Sequence, residues 1–282
     1  TSFALSVCEM RPKAAPMHPF RQIRAAYQYR HFIRSAISAE LKGKFARSRI
    51  GGAWLVLHPL AMATIYAVVL SKVLGAKIGG MDNSYGYAIY LIAGIAAWTL
   101  FSEIALRCLS VFIDYANVMK KISFPRVALP AIVSGTAMVN QILLLLISVG
   151  IFWLLGVSPS LPLIALPVVT AVILLFGLGL GLFLALFNLF NRDVGQVTGV
   201  LLGLWFWLTP IVYDVGILPE GFAPMIKWNP MTPLTRAYQD ILLHQQWPNF
   251  IALLYPLAIG LVLLSLALIA FSRAGEDLVD AL

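Results

Sequence analysis

The chain has 282 residues, of which 60% are hydrophobic and only 11% charged, and its formal net charge is +8. A soluble domain carries about 25% charged residues, so the composition excludes that class. The basic balance suits a protein at an anionic membrane surface, and nucleic-acid binding is not needed to explain it.

The first 53 residues are basic, with ten Lys or Arg side chains. Residues 1–19 contain three prolines and no apolar core typical of a signal peptide, which predicts a disordered tail without a cleavable signal. Residues 20–53 predict an amphipathic helix at the membrane interface, because Ile33, Ile37 and Leu41 recur every four residues while the cations lie elsewhere. Its expected partners are anionic lipids. A solvated cytoplasmic helix is the alternative.

Six later stretches are long and apolar enough to cross a membrane as helices, which requires about 20 residues each. We therefore predict an all-α membrane protein whose transmembrane domain covers residues 54–272, followed by a cytoplasmic tail at 273–282. The predicted spans are 54–74, 87–113, 131–155, 163–190, 196–213 and 250–271.

Basic residues predict the orientation of these spans. When the termini and alternate loops are counted together, fifteen Lys or Arg lie on one side and four on the other. The positive-inside rule then places both termini in the cytoplasm.

The short polar segment at 115–130 connects the second and third spans. Three cations and no acid lie in it, and the proline at position 125 limits any helix to one or two turns. We interpret it as a cytoplasmic helix that docks against another protein. Its candidate docking residues are Asn117, Lys120, Lys121, Phe124, Pro125 and Arg126.

Glu103 and Arg107 are an acid and a base within the second predicted span. Their i,i+4 spacing, with the acid first, favours an ion pair along the helix. Charges inside a membrane often mark a functional site. These two lie towards the cytoplasmic end of the second span, where a structural role is the preferred interpretation.

Aromatic side chains form a stripe on the second span and recur on the fifth. The six candidates to line a channel are Tyr87, Tyr90, Trp98, Phe101, Trp205 and Trp207. At about 100° per residue, the first four share one sector of the second span. Such a surface suits sugar rings in a wet path, since their C–H faces stack on aromatic rings. The two tryptophans of the fifth span lie about 200° apart, so at most one faces that path. Ordinary packing is the alternative for each residue.

Glycines recur every four residues on the fourth and fifth spans, at positions 177 and 181 and at positions 195, 199 and 203. These faces predict close helix packing, either within one chain or between copies.

Residues 214–248 contain five prolines and many apolar side chains. The prolines exclude a continuous span, so we predict two short helices that dip into the outer leaflet and form a periplasmic gate. A plain interfacial loop is the alternative. The candidate gate residues are Leu218, Phe222, Met225, Trp228, Pro230 and Leu234.

The sequence predicts no catalytic residue. It lacks the G-x-x-x-x-G-K-[ST] loop that binds nucleotide phosphates. The four histidines have no ligand partner at i+3 or i+4, so no metal site is predicted. Any ATP and Mg would have to bind a partner chain.

Four segments carry a resemblance to a known family. They are residues 117–130, 191–193 with Gln196, 208–211 and 228–233. From about Arg21 onward the chain resembles the membrane subunits of ABC-2 type exporters, most closely those that export O-antigen polysaccharide.

The resemblance implies a homodimer joined to two cytoplasmic ATPase subunits in the bacterial inner membrane. It would move polysaccharide linked to undecaprenyl diphosphate from cytoplasm to periplasm. Residues 115–124 would match the coupling helix that docks the ATPase, and residues 218–228 and 232–243 the two gate helices. The alternatives are a capsule or teichoic acid exporter of the same family, or an ion-coupled carrier that acts without an ATPase.

Overall fold

The computed structural model describes residues 29–45, 51–54, 57, 61, 65, 84–121, 127–154, 156–213, 221 and 223–273. All regular structure within these ranges is helical, as predicted. The helices are α1 (Arg30–Phe45), α2 (Ser84–Asp114), α3 (Ala116–Lys121), α4 (Ala128–Leu154), α5 (Leu166–Phe190), α6 (Asp193–Leu208), α7 (Ala223–Trp228), α8 (Met231–Gln239) and α9 (Phe250–Arg273). A 3-10 helix at Leu161–Ala165 leads into α5, and a π-helical turn at Asp240–His244 extends α8.

Four of the predicted spans are confirmed as helices long and apolar enough to cross a membrane. Their bounds are Gly86–Asp114, Ala128–Trp153, Leu161–Phe190 and Phe250–Arg273. The predicted fifth span is shorter than expected. It forms only the 16-residue helix α6, which ends just before Pro210. The predicted first span, 54–74, lies largely outside the described residues, so the six-span architecture stays a prediction.

Helix α5 lies between α2 and α9, and glycines on two of its faces bring the helices close. A Cβ added at Gly181 would lie 2.6 Å from the carbonyl oxygen of Ala105 on α2. One added at Gly179 would overlap the carbonyl oxygen of Gly260 on α9. The glycines of the fourth predicted span therefore pack within one chain.

Helix α4 packs on α2, and α1 packs on α4. Ile37 of the predicted amphipathic stripe lies against Gly135, where an added Cβ would overlap its side chain. The described part of this helix, residues 30–45, thus directs Ile37 into the bundle. Whether the rest of this stripe lies in the headgroup boundary stays a prediction.

Candidate functional site

The aromatic stripe of α2 is buried inside the protomer. Its two tyrosines hold the segment that follows α6. The Tyr87 hydroxyl donates to the carbonyl oxygen of Val212 at 2.8 Å, and the Tyr90 hydroxyl donates to that of Tyr213 at 2.8 Å. Gly94, between them and Trp98, has no side chain, so Ile211 of the same segment approaches α2 closely.

The other two stripe residues belong to an aromatic cluster, formed by Trp98, Phe101, Phe176, Trp205 and Phe206. Phe101 stacks on Phe176 with ring centroids 5.0 Å apart, and the edge of Trp98 meets Trp205 at 6.1 Å. Both arrangements are favourable for aromatic pairs. The cluster joins α2, α5 and α6. In this structure the stripe packs against α5, α6 and the segment that follows α6, and its role as a channel lining stays a prediction.

The two tryptophans of α6 point in different directions, as their angular separation predicts. Trp205 is half-buried in the aromatic cluster, whereas Trp207 is 55% exposed. Only Trp205 therefore lies on the side of α6 that faces the stripe.

Asn229 joins the outer end of α6 to the turn between α7 and α8. Its Oδ1 accepts from Trp205 Nε1 at 2.9 Å and from the backbone N–H of Met231 at 2.9 Å. Its Nδ2 donates to the carbonyl oxygen of Leu208 at 3.2 Å and to Thr209 Oγ1 at 3.0 Å. An Asn-Pro pair signals the turn between the two short helices, but the sequence gave no sign of these side-chain contacts of Asn229.

The predicted gate segment forms α7, α8 and the π-helical turn. Leu234 is fully buried, and Pro230 lies immediately before α8. Trp228 is 72% exposed. Met225 lies on α7, while Leu218 and Phe222 lie outside the described residues. The segment is therefore folded into the bundle at α8 and exposed at the end of α7.

A buried polar contact fixes α8 to two of the long helices. The Tyr238 hydroxyl lies 2.6 Å from Thr170 Oγ1 on α5 and accepts from Gln141 Nε2 on α4 at 3.2 Å. Because the Thr170 hydroxyl donates to Leu166 at 2.7 Å, the Tyr238 hydroxyl is the donor to Thr170. Sequence reasoning missed this contact, since its three residues come from distant parts of the chain.

The candidate docking segment begins as a direct continuation of α2. The N–H of Tyr115 donates to Val111 at 3.1 Å, and that of Met119 donates to Tyr115 at 2.9 Å. Asn117 is exposed on α3. Lys120 and Lys121 lie on the same helix. The remaining docking candidates, Phe124, Pro125 and Arg126, lie outside the described residues.

The predicted ion pair is present, with 3.4 Å between Arg107 Nη1 and Glu103 Oε1. Arg107 Nη2 also binds Glu40, a residue of α1 that sequence reasoning did not select. Asn140 Nδ2 donates to Glu103 Oε1 at 3.2 Å. The sequence feature that could have pointed to Glu40 is that it is the one acidic residue within α1. Among the described residues no cluster of His, Cys, Asp or Glu is suited to a metal ion.

The sequence profile of the ABC-2 type transporter family matches residues 32–243, from α1 to the π-helical turn. This range covers most of the chain. The chain belongs to the ABC-2 type transporter family.

Curated relatives align with this transporter over almost its full length. It is 28% identical to the O-antigen export system permease protein RfbA of Myxococcus xanthus over 264 residues, which cover 93% of this chain and 99% of the relative. It is 29% identical to the protein of that name from Klebsiella pneumoniae over 233 residues, 81% of this chain and 87% of the relative. The transporter is therefore a membrane transport subunit, and the family match agrees with the resemblance seen in the sequence.

Proposed function

We propose that this transporter is the transmembrane subunit of an ATP-driven exporter of O-antigen polysaccharide, carried on undecaprenyl diphosphate. The observation that supports this most is the alignment with O-antigen export permeases across 93% of the chain. The substrate would cross the bacterial inner membrane from cytoplasm to periplasm. Both termini would lie in the cytoplasm, where two separate ATPase subunits bind ATP and Mg.

The architecture supports a transport path built by two copies. Within the described residues, α2 and α9 pack closely against α5 at main-chain atoms of Ala105 and Gly260, and α4 packs on α2. A protomer packed in this way offers little room for a polymer in its centre. A wide path for a lipid-linked polysaccharide would then lie between copies, with the aromatic cluster opened towards it.

Deletion of the gene tests the substrate. We expect long-chain O-antigen to disappear from the cell surface and its lipid-linked form to accumulate inside, as measured by lipopolysaccharide electrophoresis and glycan composition analysis. The full-length gene should restore it. Loss of a capsule or of teichoic acid with O-antigen unchanged would assign the transporter to another polymer.

Charge reversal at Lys120 and Lys121 tests the ATPase partner. Cations on a short helix complement an acidic groove on a partner, and salt weakens that attraction. We expect Lys120→Glu combined with Lys121→Glu to abolish co-purification of the ATPase and O-antigen export while the protein stays in the membrane. Arg273→Glu, at an exposed cation on the last turn of α9, is the matched control. Export at the normal level in the double variant would contradict docking through α3.

The gate proposal concerns α8 and the proline-rich segment before it. An unsealed wide path would leak ions, so a closed state needs an apolar seal that can move. We expect a crosslink that joins this segment between two copies to stop export while ATP binding persists. Full export with the crosslink formed would contradict the gate.

A further inference from the structure

The described part of α1 is fixed to the bundle through a shared guanidinium. Arg107 of α2 binds Glu40 of α1 through Nη2 and lies 3.4 Å from Glu103 through Nη1. The second oxygen of Glu40 lies 3.1 Å from Thr136 Oγ1 of α4, whose hydroxyl hydrogen is shared with the carbonyl oxygen of Ile132 at 3.0 Å. The ion-paired side chains are only 21–25% exposed. Charge-assisted hydrogen bonds of this kind are stronger than neutral ones.

An apolar contact lies one turn away from this ion pair. Ile37, three residues before Glu40 on α1, packs against Gly135, the neighbour of Thr136 on α4. The missing side chain at Gly135 lets α1 approach closely enough for Glu40 to reach Arg107. The contact with Gly135 supplies proximity, while the ion pair selects the register of α1 along the bundle.

Removal of Arg107 would do more than delete a favourable contact. The guanidinium lies between two carboxylates, Glu40 and Glu103. Without it, two like charges would face each other at short range and repel. The sign of the interaction between α1 and α2 would thus change from attraction to repulsion.

The helix that carries Arg107 is also continuous with the start of the candidate docking helix α3. Two backbone hydrogen bonds at Tyr115 join α2 to α3 without a break. A displacement of α3 would therefore reach Arg107 two turns away, and through it α1.

We propose that Arg107 and Glu40 are positioning residues, whose ion pair makes α1 move together with α2 and α3. The inference rests on the proposed function, because the movement would be imposed on α3 by the ATPase. Helix α1 would then move with the bundle through this contact.

A disulfide between α1 and α4 measures the position of α1 directly. The full chain, with Cys8 and Cys108 replaced by alanine, would carry Ile37→Cys and Gly135→Cys. We expect the two cysteines to form a disulfide rapidly in membranes. Arg107→Met should slow the formation of this disulfide about tenfold, the change expected when a charge-assisted hydrogen bond is lost. Arg34→Gln, which removes an exposed cation from the same helix, is the matched control and should leave the rate unchanged.

The charge-swapped variant Glu40→Arg with Arg107→Glu separates positioning from general damage to the fold. We expect Arg107→Met, without the added cysteines, to lower O-antigen export per ATP hydrolysed while the ATPase still co-purifies. The swap should restore both the oxidation rate and export towards the parent. An unchanged oxidation rate in Arg107→Met, or a slowed rate with unchanged export per ATP, would overturn the proposal.

Failure of the proposed function would look different. The parent chain itself would then not restore surface O-antigen in the deletion strain. The oxidation rates do not depend on export, so they report the position of α1 in either case.

Discussion

Helices α5 and α6 follow each other in the chain and both carry glycines every four residues, yet their surroundings differ. Twelve residues of α5 are buried, and its glycines meet main-chain atoms of α2 and α9. On α6 only Thr198 and Leu202 are fully buried. Among the described residues, no atom lies within 4 Å of a Cβ added at Gly199 or Gly203. Small-residue spacing thus indicates a face that permits close approach, without indicating what approaches it.

The attachment of α6 explains how it can differ so much from α5. Its first turn is held by Asn188 Oδ1, which accepts from the N–H of Gly195 at 3.0 Å. Its last turns are held by Trp205 in the aromatic cluster and by Asn229. Between these two attachments, no residue that the structure describes covers Gly199 or Gly203. Helix α6 is therefore held to the described bundle mainly near its two ends.

The strongest test of this comparison places one methyl group on each helix. Gly179→Ala would overlap the carbonyl oxygen of Gly260, and main-chain atoms cannot yield without moving α9. We expect a loss of about 1–3 kcal/mol or more, the usual cost of overpacking. Gly199→Ala meets no described atom and should leave stability unchanged or raise it, since alanine favours helix. Thermal unfolding of the purified proteins in detergent measures both, and equal losses would contradict the comparison.

Asn229→Ala should weaken the outer attachment of α6. The substitution leaves the N–H groups of Trp205 and Met231 without their acceptor, at a cost of about 1–3 kcal/mol each when such a group stays buried. We expect a lower thermal midpoint and a shift of tryptophan fluorescence as Trp205 becomes more exposed. Lys227→Ala, at an exposed position two residues earlier, is the control. A normal midpoint with unchanged fluorescence would show that the aromatic cluster alone holds this end.

Tyr238→Phe should have a smaller effect on the contact between α5 and α8. It removes one hydroxyl that donates to Thr170 and accepts from Gln141, while Thr170 keeps its bond to Leu166. We expect a loss of about 0.5–1.5 kcal/mol in thermal unfolding. Tyr255→Phe removes a hydroxyl bonded to Trp228 at an exposed site and should cost less. The reverse order would mean that the buried contact contributes no stability.

Asp240→Asn should have the smallest effect, and its sign depends on pH. Burial raises the pKa of Asp240, and the charges of His244 and Arg236 only partly oppose this. A raised pKa in the folded state means that stability is lost as the pH rises through it. We therefore expect the asparagine variant to unfold at a slightly higher temperature than the parent at pH 7. The difference should vanish as the pH falls to the ordinary pKa of an aspartate, about 3.9. A variant less stable than the parent at pH 7 would contradict this sign.

The sequence by itself determined the class of protein and most of its elements. Hydropathy located four spans because a helix in lipid must be apolar along its whole length. Proline positions located the break between α7 and α8, and i,i+4 spacing identified the pair Glu103 and Arg107. Motifs identified the family, which the match to residues 32–243 confirms.

Only the tertiary structure decided which faces meet. The sequence of the aromatic stripe on α2 is compatible both with lining a path and with packing against Trp205. Periodicity shows which residues share a face of a helix, but it does not show what that face contacts. For the same reason, periodicity could not pair Glu40, the one acid of α1, with Arg107, which lies 67 residues away. Packing between helices distant in the chain depends on side-chain shape and on absent side chains such as those of Gly135 and Gly179. These contacts form only when the whole bundle is assembled.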